Sequence, residues 1–138
     1  PTCGGADPFS FAAHAFRFKS SGFEACLMDY PLSGLKVLDF SRVLAGPFAG
    51  RMLSDLGADV VKVEPPEGDV TRFWGKSIAD LPGYYHQQNA GKRNICADLR
   101  EPAAIAVIEA LVKEADIVIE NYRPDVMDRL GLGYEHLR

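Results

Sequence analysis

Two short apolar runs bracket the first readable unit of this chain. Leu35–Phe40 is rich in branched residues and carries one acid, Asp39; Val60–Val63 is the second run. Runs of this length, apolar on both faces, suit a sheet covered on both sides, the parallel α/β case. Between them Phe48, Met52 and Leu56 recur at i, i+4 and i+8, flanked by Ala49 and Leu53. That spacing predicts a helix burying this stripe and leaving Arg51, Ser54 and Asp55 to solvent. Pro47 suits its first position, where a missing N–H goes unneeded, and Gly57 suits its left-handed stop. Strand, helix and strand make a βαβ unit, whose crossover is expected to be right-handed.

The alternation continues downstream. Asn94–Leu99 sets Ile95, Ala97 and Leu99 against Asn94, Cys96 and Asp98, which predicts a third strand. A helix follows from Pro102 to about Ala115, with Ile105, Ile108, Leu111 and Val112 as its buried stripe and Glu109–Lys113 as an i, i+4 pair. Asp116–Glu120 reads as a fourth strand; residues 121–124 then turn into a short helix ended by Gly131, and Tyr134–Arg138 opens another. The connection 65–92 is broken by Pro65, Pro66, Gly68, Pro82 and Gly83. Loops of that length are usually functional or disordered; Phe73, Trp74, Tyr84 and Tyr85 favour an ordered, packed one, with a short helix around Gly83–Asn89. Residues 1–30 hold no period for long, and read as an irregular leader or wrapping segment in which Phe9, Phe11, Phe16, Phe18 and Phe23 argue against a purely solvated tail. The expected fold is an open, mostly parallel α/β sheet of Rossmann-like type with flanking helices. Ligands of such sheets sit beyond the carboxyl ends of the strands, here Ser41–Gly46, Glu64–Gly68, Leu99–Glu101 and Asn121–Arg123.

Composition narrows the partners. With 138 residues, 47% of them hydrophobic, the chain can bury a core as one ordinary domain. A net charge of -4 argues against a general binder of nucleic acid or anionic membrane, and leaves room for a local basic pocket. Cys3, Cys26 and Cys96 form neither a disulfide framework nor a zinc pattern, and read as buried or idle thiols of a reducing cytosol. His14, His86 and His136 share no ligand spacing, so no metal is expected. No run approaches the roughly 20 apolar residues of a membrane span. The apolar stretch 9–16 is interrupted by His14 and lacks the charged lead-in of a signal peptide.

Candidate chemistry is sparse. The turn Val43–Pro47 leads into a helix N-terminus, which is an anion site or equally a structural turn. Neither the dinucleotide fingerprint nor the phosphate-loop motif is present, which disfavours a nicotinamide dehydrogenase or a nucleotide triphosphatase. Lys92 and Arg93 fall in what reads as a solvated loop before the third strand. Asn121, Tyr122 and Arg123 group an amide, a ring and a guanidinium that can stack a base and hold a phosphate. Arg129 follows Asp125 by four residues, the spacing of a surface ion pair or of a ligand contact. Asp55, Asp59, Asp69 and Asp98 read as helix surface, strand edge or turn. No nucleophile elbow or Cys/His pairing stands out.

Three blocks in order, GLKVLDFSRVLAGPFAGRMLSDLGADVVKVEPPEGDVTR, NAGKRNICADLR and ADIVIENYRPDVMDRLGLGYEHL, resemble the class III coenzyme A transferases, a superfamily that includes formyl-CoA transferase, carnitine CoA-transferase and α-methylacyl-CoA racemase. The resemblance covers residues 31–138, as the N-terminal part of the family's large domain, and leaves 1–30 outside. It implies CoA contacts at Leu44 and Ala45, at Ala97, Asp98, Leu99 and Arg100, at Asn121, Tyr122 and Arg123, and at Arg129 as a phosphate ligand. The position after Glu64, often an arginine that contacts the nucleotide, is Pro65 here, and Asn94 stands where serine is usual. The resemblance further implies acyl-CoA and a carboxylic acid as substrates and an interlocked homodimer; the cysteine pattern is what points to a cytoplasmic location. Its nucleophilic aspartate, which forms a mixed anhydride and then an aspartyl-CoA thioester, would lie beyond Arg138, so no catalytic residue is expected within this chain. The turn Val43–Pro47 and the long loop 65–88 are transferase-like. The alternatives are an acyl-CoA racemase or epimerase of the same superfamily and, for the 138 residues alone, a non-catalytic CoA-binding fragment.

Overall fold

The four runs become the strands of one sheet. The computed structural model describes residues 30–78 and 81–138, so the readings made on residues 1–29 lie outside the described part. Strand β1 (Lys36–Asp39) leads through helix α1 (Ala45–Asp55) to β2 (Asp59–Glu64). A 3-10 turn at Val70–Phe73, a hairpin of β3 (Ser77–Ile78) and β4 (Leu81–Pro82), and α2 (Gly83–Asn89) order the long connection. Then come β5 (Arg93–Cys96), α3 (Pro102–Val112), β6 (Ile117–Ile119) and two single-turn helices, α4 (Val126–Arg129) and α5 (Tyr134–Leu137).

The sheet order is β5-β2-β1-β6, and every pairing in it is parallel; β3 and β4 pair antiparallel apart from it. Taking the four parallel strands in chain order, the sequence across the sheet is third, second, first, fourth. The winding direction therefore reverses between β1 and β6, the position at which doubly wound sheets open a crevice for ligands.

Each face buries a different layer. Leu38, Phe40 and Val63 meet Ile108 of α3, Met127 of α4 and Leu132, all buried, with Ile105, Leu111 and Val112 packed beside them as expected of that stripe. The other face begins as carbon, with Val37, Ala58 and Val60 under Leu53 of α1. Toward the carboxyl ends it turns to charge: Asp39, Lys62 and Glu64 are buried there, at most 2% exposed.

That change of surface overturns the expected face of α1. Phe48, Met52 and Leu56 are 50%, 51% and 44% exposed, and the residues turned inward are Gly46, Pro47 and Gly50. The reason is clearance. A Cβ on Gly50 would lie 2.7 Å from Asp39 Oδ2 and 3.1 Å from Lys92 Nζ. Only a glycine surface lets the helix come close enough for the Pro47 carbonyl to accept a 2.7 Å hydrogen bond from Lys92. Arg51 and Ser54, expected in solvent, are half-buried, and Arg51 donates to the Gln87 carbonyl of α2. Pro47 stands third in the helix rather than first, a position equally free of an intrahelical N–H partner. Gly57, with φ +100°, supplies the left-handed stop.

Two smaller expectations also change. Glu109 pairs with His136 at 2.9 Å, because α5 lies over α3, and no ion pair joins it to Lys113 among the described residues. Cys96 is exposed rather than buried.

Substituting Gly50 by alanine adds about 1 kcal/mol of helix propensity yet should lower the unfolding free energy by roughly 1–3 kcal/mol, since the new methyl overpacks a charged contact. Met52→Ala, on the exposed stripe, should change it by less than about 1 kcal/mol. Urea denaturation followed by circular dichroism checks both. A Gly50→Ala variant more stable than its parent contradicts this packing.

Candidate functional site

Four charges lie beneath the start of α1. The register pairs Asp39 with Lys62 across β1 and β2, which puts both side chains on the same face. Lys92 Nζ donates to Asp39 Oδ2 at 2.7 Å, to Asn89 Oδ1 at 2.9 Å and to the Pro47 carbonyl at 2.7 Å, which uses all three of its protons. Lys62 Nζ donates to the Ser41 carbonyl at 2.6 Å and faces Asp69 Oδ2 at 3.4 Å. The other Asp69 oxygen accepts the backbone N–H and hydroxyl of Thr71 at 3.0 and 2.9 Å. Asp39 Oδ1 takes the Ser41 N–H at 2.9 Å together with the Ser41 hydroxyl. Lys92 is therefore no part of a solvated loop, and Asp69, the turn residue that caps Val70–Phe73, is at the same time a buried counter-ion. Burial pushes the Lys92 ammonium down, and the Asp39 carboxylate pushes it back up.

Glu64, the last residue of β2, collects a second set of donors. Arg72 holds it with Nε at 2.7 Å and a terminal nitrogen at 2.8 Å, and the Asp69 N–H adds a bond at 2.8 Å. The Tyr85 hydroxyl and the Asn94 amide also donate to it. Arg72 lies 3.9 Å from the centre of the Tyr85 ring, close enough for cation–π attraction. Burial alone would raise the Glu64 carboxyl. The bonds from Arg72, then Tyr85, then the Asp69 N–H outweigh it and bring the pKa down to about 2. Burial, and after it the Glu64 charge, push the Tyr85 phenol up.

These two clusters frame the turn after β1. Val43 has φ +75°, a conformation costly for a β-branched residue. It is held from three sides. Its N–H reaches Asp69 Oδ2 at 3.3 Å, Lys62 holds the Ser41 carbonyl, and Asn121 clips Arg42 twice. In that clip Asn121 Oδ1 accepts the Arg42 N–H, and Asn121 Nδ2 donates to the Arg42 carbonyl, both at 2.8 Å. The clip spans β1 and β6, where the sheet reverses direction.

A cleft of about 170 Å³ opens beside this turn, across the carboxyl ends of the strands. Of the ten residues singled out in the sequence, Ala97, Asp98, Leu99, Arg100 and Tyr122 line it, with Arg42, Val63, Pro65, Glu67 and Leu130. Ala97 continues the edge of β5 through its N–H bond to the Glu64 carbonyl at 2.8 Å. Asp98 and Arg100 form a two-pronged pair at 2.8 and 2.7 Å. Leu44, half-exposed, caps α1 and Ala45 begins it, on the outer side of the turn. Asn121 spends its side chain on Arg42. Arg123 and Arg129 are exposed, and among the described residues no ion pair joins Arg129 to Asp125. A larger hollow of about 470 Å³ lies elsewhere, against the outer edge of β6, lined by Val112, Val118, Met127, Leu132 and Leu137 among others. It is lined mainly by carbon and lies away from the turn. Among the described residues no group of three or more His, Cys, Asp or Glu could hold a metal ion.

Residues 32–138 match the family model for CoA-transferase family III. The chain belongs to that family. It is 51% identical over 116 residues to the succinate–glutarate CoA-transferase of Agrobacterium fabrum, a match covering 78% of this chain and 29% of that protein. It is 44% identical over 109 residues to the human succinyl-CoA:glutarate CoA-transferase, covering 78% of this chain and 25% of the relative. Among solved structures, a CaiB/BaiF family protein from Brucella suis superposes with a TM-score of 0.75 at 48% identity, over 79% of this chain and 30% of that one. The chain thus spans less than a third of the length of these relatives.

Within this family III chain, Arg42, Glu64, Arg72 and Tyr85 went unread in the sequence as site residues. The signals that could have exposed the buried layer are a lysine inside the second apolar run and glycines spaced i, i+4 at 46 and 50, which mark close helix approach.

Glu64 gives the fold a pH signature. Its folded pKa lies below the ordinary value of 4.5, so its stabilisation is complete above about pH 4.5 and is lost as pH falls toward 2. The depression corresponds to about 3 kcal/mol at neutral pH. Glu64→Gln should remove most of that stability at pH 7 and flatten its pH dependence between about 4.5 and 2. Denaturant unfolding at stepped pH measures it, and an unchanged slope in the variant contradicts the assignment.

Proposed function

We propose that the protein to which this chain contributes moves coenzyme A from an acyl-CoA to a free carboxylic acid, and that residues 30–138 supply part of the CoA site. The observation that carries this reading is the cleft at the carboxyl ends of four parallel strands. It gathers Ala97–Arg100 and Tyr122 at the reversal of the sheet, in a chain that belongs to CoA-transferase family III. A nucleotide can lie there with its base against the half-buried Tyr122 ring and its phosphates toward the guanidinium groups around the rim. Arg123 and Arg129 have no carboxylate partner among the described residues and are available to such a ligand. The relatives reported above are named for succinate and glutarate, which supports a short dicarboxylate as acceptor.

The transfer itself, through an aspartyl-CoA thioester, belongs to a carboxylate that has no counterpart among residues 30–138, whose buried acids are all engaged with cations or turn donors. Alone, this stretch binds and positions. We propose a homodimer in the cytoplasm as its setting. The exposed apolar stripe Phe48, Met52 and Leu56 suits a covered surface, and no helix among the described residues is long and apolar enough to cross a membrane.

The full-length protein, mixed with succinyl-CoA and glutarate, should form a new CoA thioester detectable by chromatography. Exchange at an α-carbon without movement of CoA would instead mark a racemase. Arg129→Ala should weaken CoA binding by roughly 1.5–3 kcal/mol if that arginine grips a phosphate, while Asp125→Ala should leave affinity unchanged. Calorimetric titration separates them, and an Arg129→Ala variant with parental affinity removes this arginine from the site.

A further inference from the structure

Two guanidinium groups line the cleft, and they differ in what already holds them. Arg100 is already paired with a carboxylate: Nε and a terminal nitrogen sit on the two oxygens of Asp98, its backbone N–H bonds the same carboxylate at 3.1 Å, and Glu67 and Glu101 add negative charge nearby. A phosphate arriving there would have to displace a carboxylate from a bidentate fork. Arg42 is different. Its only side-chain hydrogen bond among the described residues runs from a terminal nitrogen to the neutral Gly68 carbonyl at 3.2 Å. Guanidinium carries five N–H donors, so most of this one is unclaimed. Asp69, which accepts the N–H of the adjoining Val43, is already balanced by Lys62.

We infer that Arg42 is a phosphate-binding residue, whose guanidinium takes a phosphate of the nucleotide end of CoA in this cleft. The inference rests on the CoA reading above and adds to it a residue that neither the sequence motifs nor the resemblance assigned. Three features support it. The Arg42 backbone is fixed at both its N–H and its carbonyl by Asn121, so the side chain leaves from a rigid point at the reversal of the sheet. Tyr122 shares the cleft, and the positive charge of Arg42 opposes the upward push that burial gives the Tyr122 phenol, so ring and cation lie within electrostatic reach. Pro65, on the neighbouring strand end, brings no donor to the wall it forms. The cleft would otherwise offer an anion only a neutralised arginine.

The test titrates CoA, 3′-dephospho-CoA and pantetheine against the full-length protein and its Arg42→Gln, Arg42→Lys and Arg100→Gln variants, with unfolding midpoints measured alongside. Arg42→Gln should weaken CoA roughly tenfold or more and leave pantetheine, which has no phosphate, unchanged. Arg42→Lys should fall between, keeping the charge without the fork, and Arg100→Gln should lose less than Arg42→Gln. A loss that persists with dephospho-CoA assigns Arg42 to the diphosphate; a loss confined to CoA assigns it to the 3′-phosphate. Equal losses for pantetheine and CoA, or none for CoA, overturn the inference. Failure of the unmutated protein to bind CoA overturns the reading beneath it instead. If Arg42→Gln does not fold, Arg42→Lys decides: a loss limited to phosphate-bearing ligands supports the contact, and no loss removes it.

Discussion

Two ammonium groups are buried beneath helix α1, and most of the carboxyl edge of the sheet is arranged so that neither is left without an anion. Taking an ion out of water costs several kcal/mol after relaxation, and removing one partner of a buried pair costs roughly 3–5 kcal/mol. Lys92 therefore needs Asp39, Asn89 and the Pro47 carbonyl, and Lys62 needs Asp69 and the Ser41 carbonyl. Those partners come from β1, α1, the connection after β2, and α2. Satisfying two lysines thus determines where four segments meet. The glycine surface of α1 follows from the same need, because a helix with side chains there would stand too far off for its carbonyl to serve as an acceptor.

The same network supports the turn that borders the cleft. A valine at positive φ is not a conformation its own sequence prefers. It persists because Asp69 takes its N–H and because the residues before it are pinned by Lys62 and Asn121. The electrostatic layer is thereby linked to the ligand edge. Asp69 serves both a buried lysine and the backbone of the turn, and Glu64 receives the N–H of that same Asp69. Charge burial, backbone strain and the shape of the cleft are one mechanical unit.

Much of the architecture was legible because period and punctuation report it directly. The four strands, Pro102, Gly57, Gly131 and the short helix at 83–89 all appear in the expected order, though the third strand covers Arg93–Cys96 and stops short of the expected Leu99. The covered face of α1 was not legible. Periodicity shows that Phe48, Met52 and Leu56 share a side, but not whether that side meets the sheet, and here the sheet offers charge rather than carbon. The burial of Asp69 and Lys92 was hidden for a related reason. Each is surrounded by turn residues, and only the tertiary fold shows that both loops close over the strand ends. Of the candidate ligand residues, Ala97–Arg100 and Tyr122 were suggested by resemblance and share one cleft. Arg42 had no periodic or motif signature, and its prominence comes from what its neighbours do with their charges.

The alternation of carbon and charge along β2 also governs strand alignment. Side chains on a strand point alternately to opposite faces, so shifting β2 by one position would send Lys62 and Glu64 into the layer of Phe40, Ile108 and Met127. Val61 and Val63 would move in turn against the carboxylate of Asp39. No oxygen in the first layer could receive the ammonium, and no methyl in the second could replace it. A purely aliphatic β2 would accept either alignment at similar energy. With a lysine and a glutamate in alternate positions, the misaligned sheet is excluded by several kcal/mol, and the chain has one way to assemble its edge.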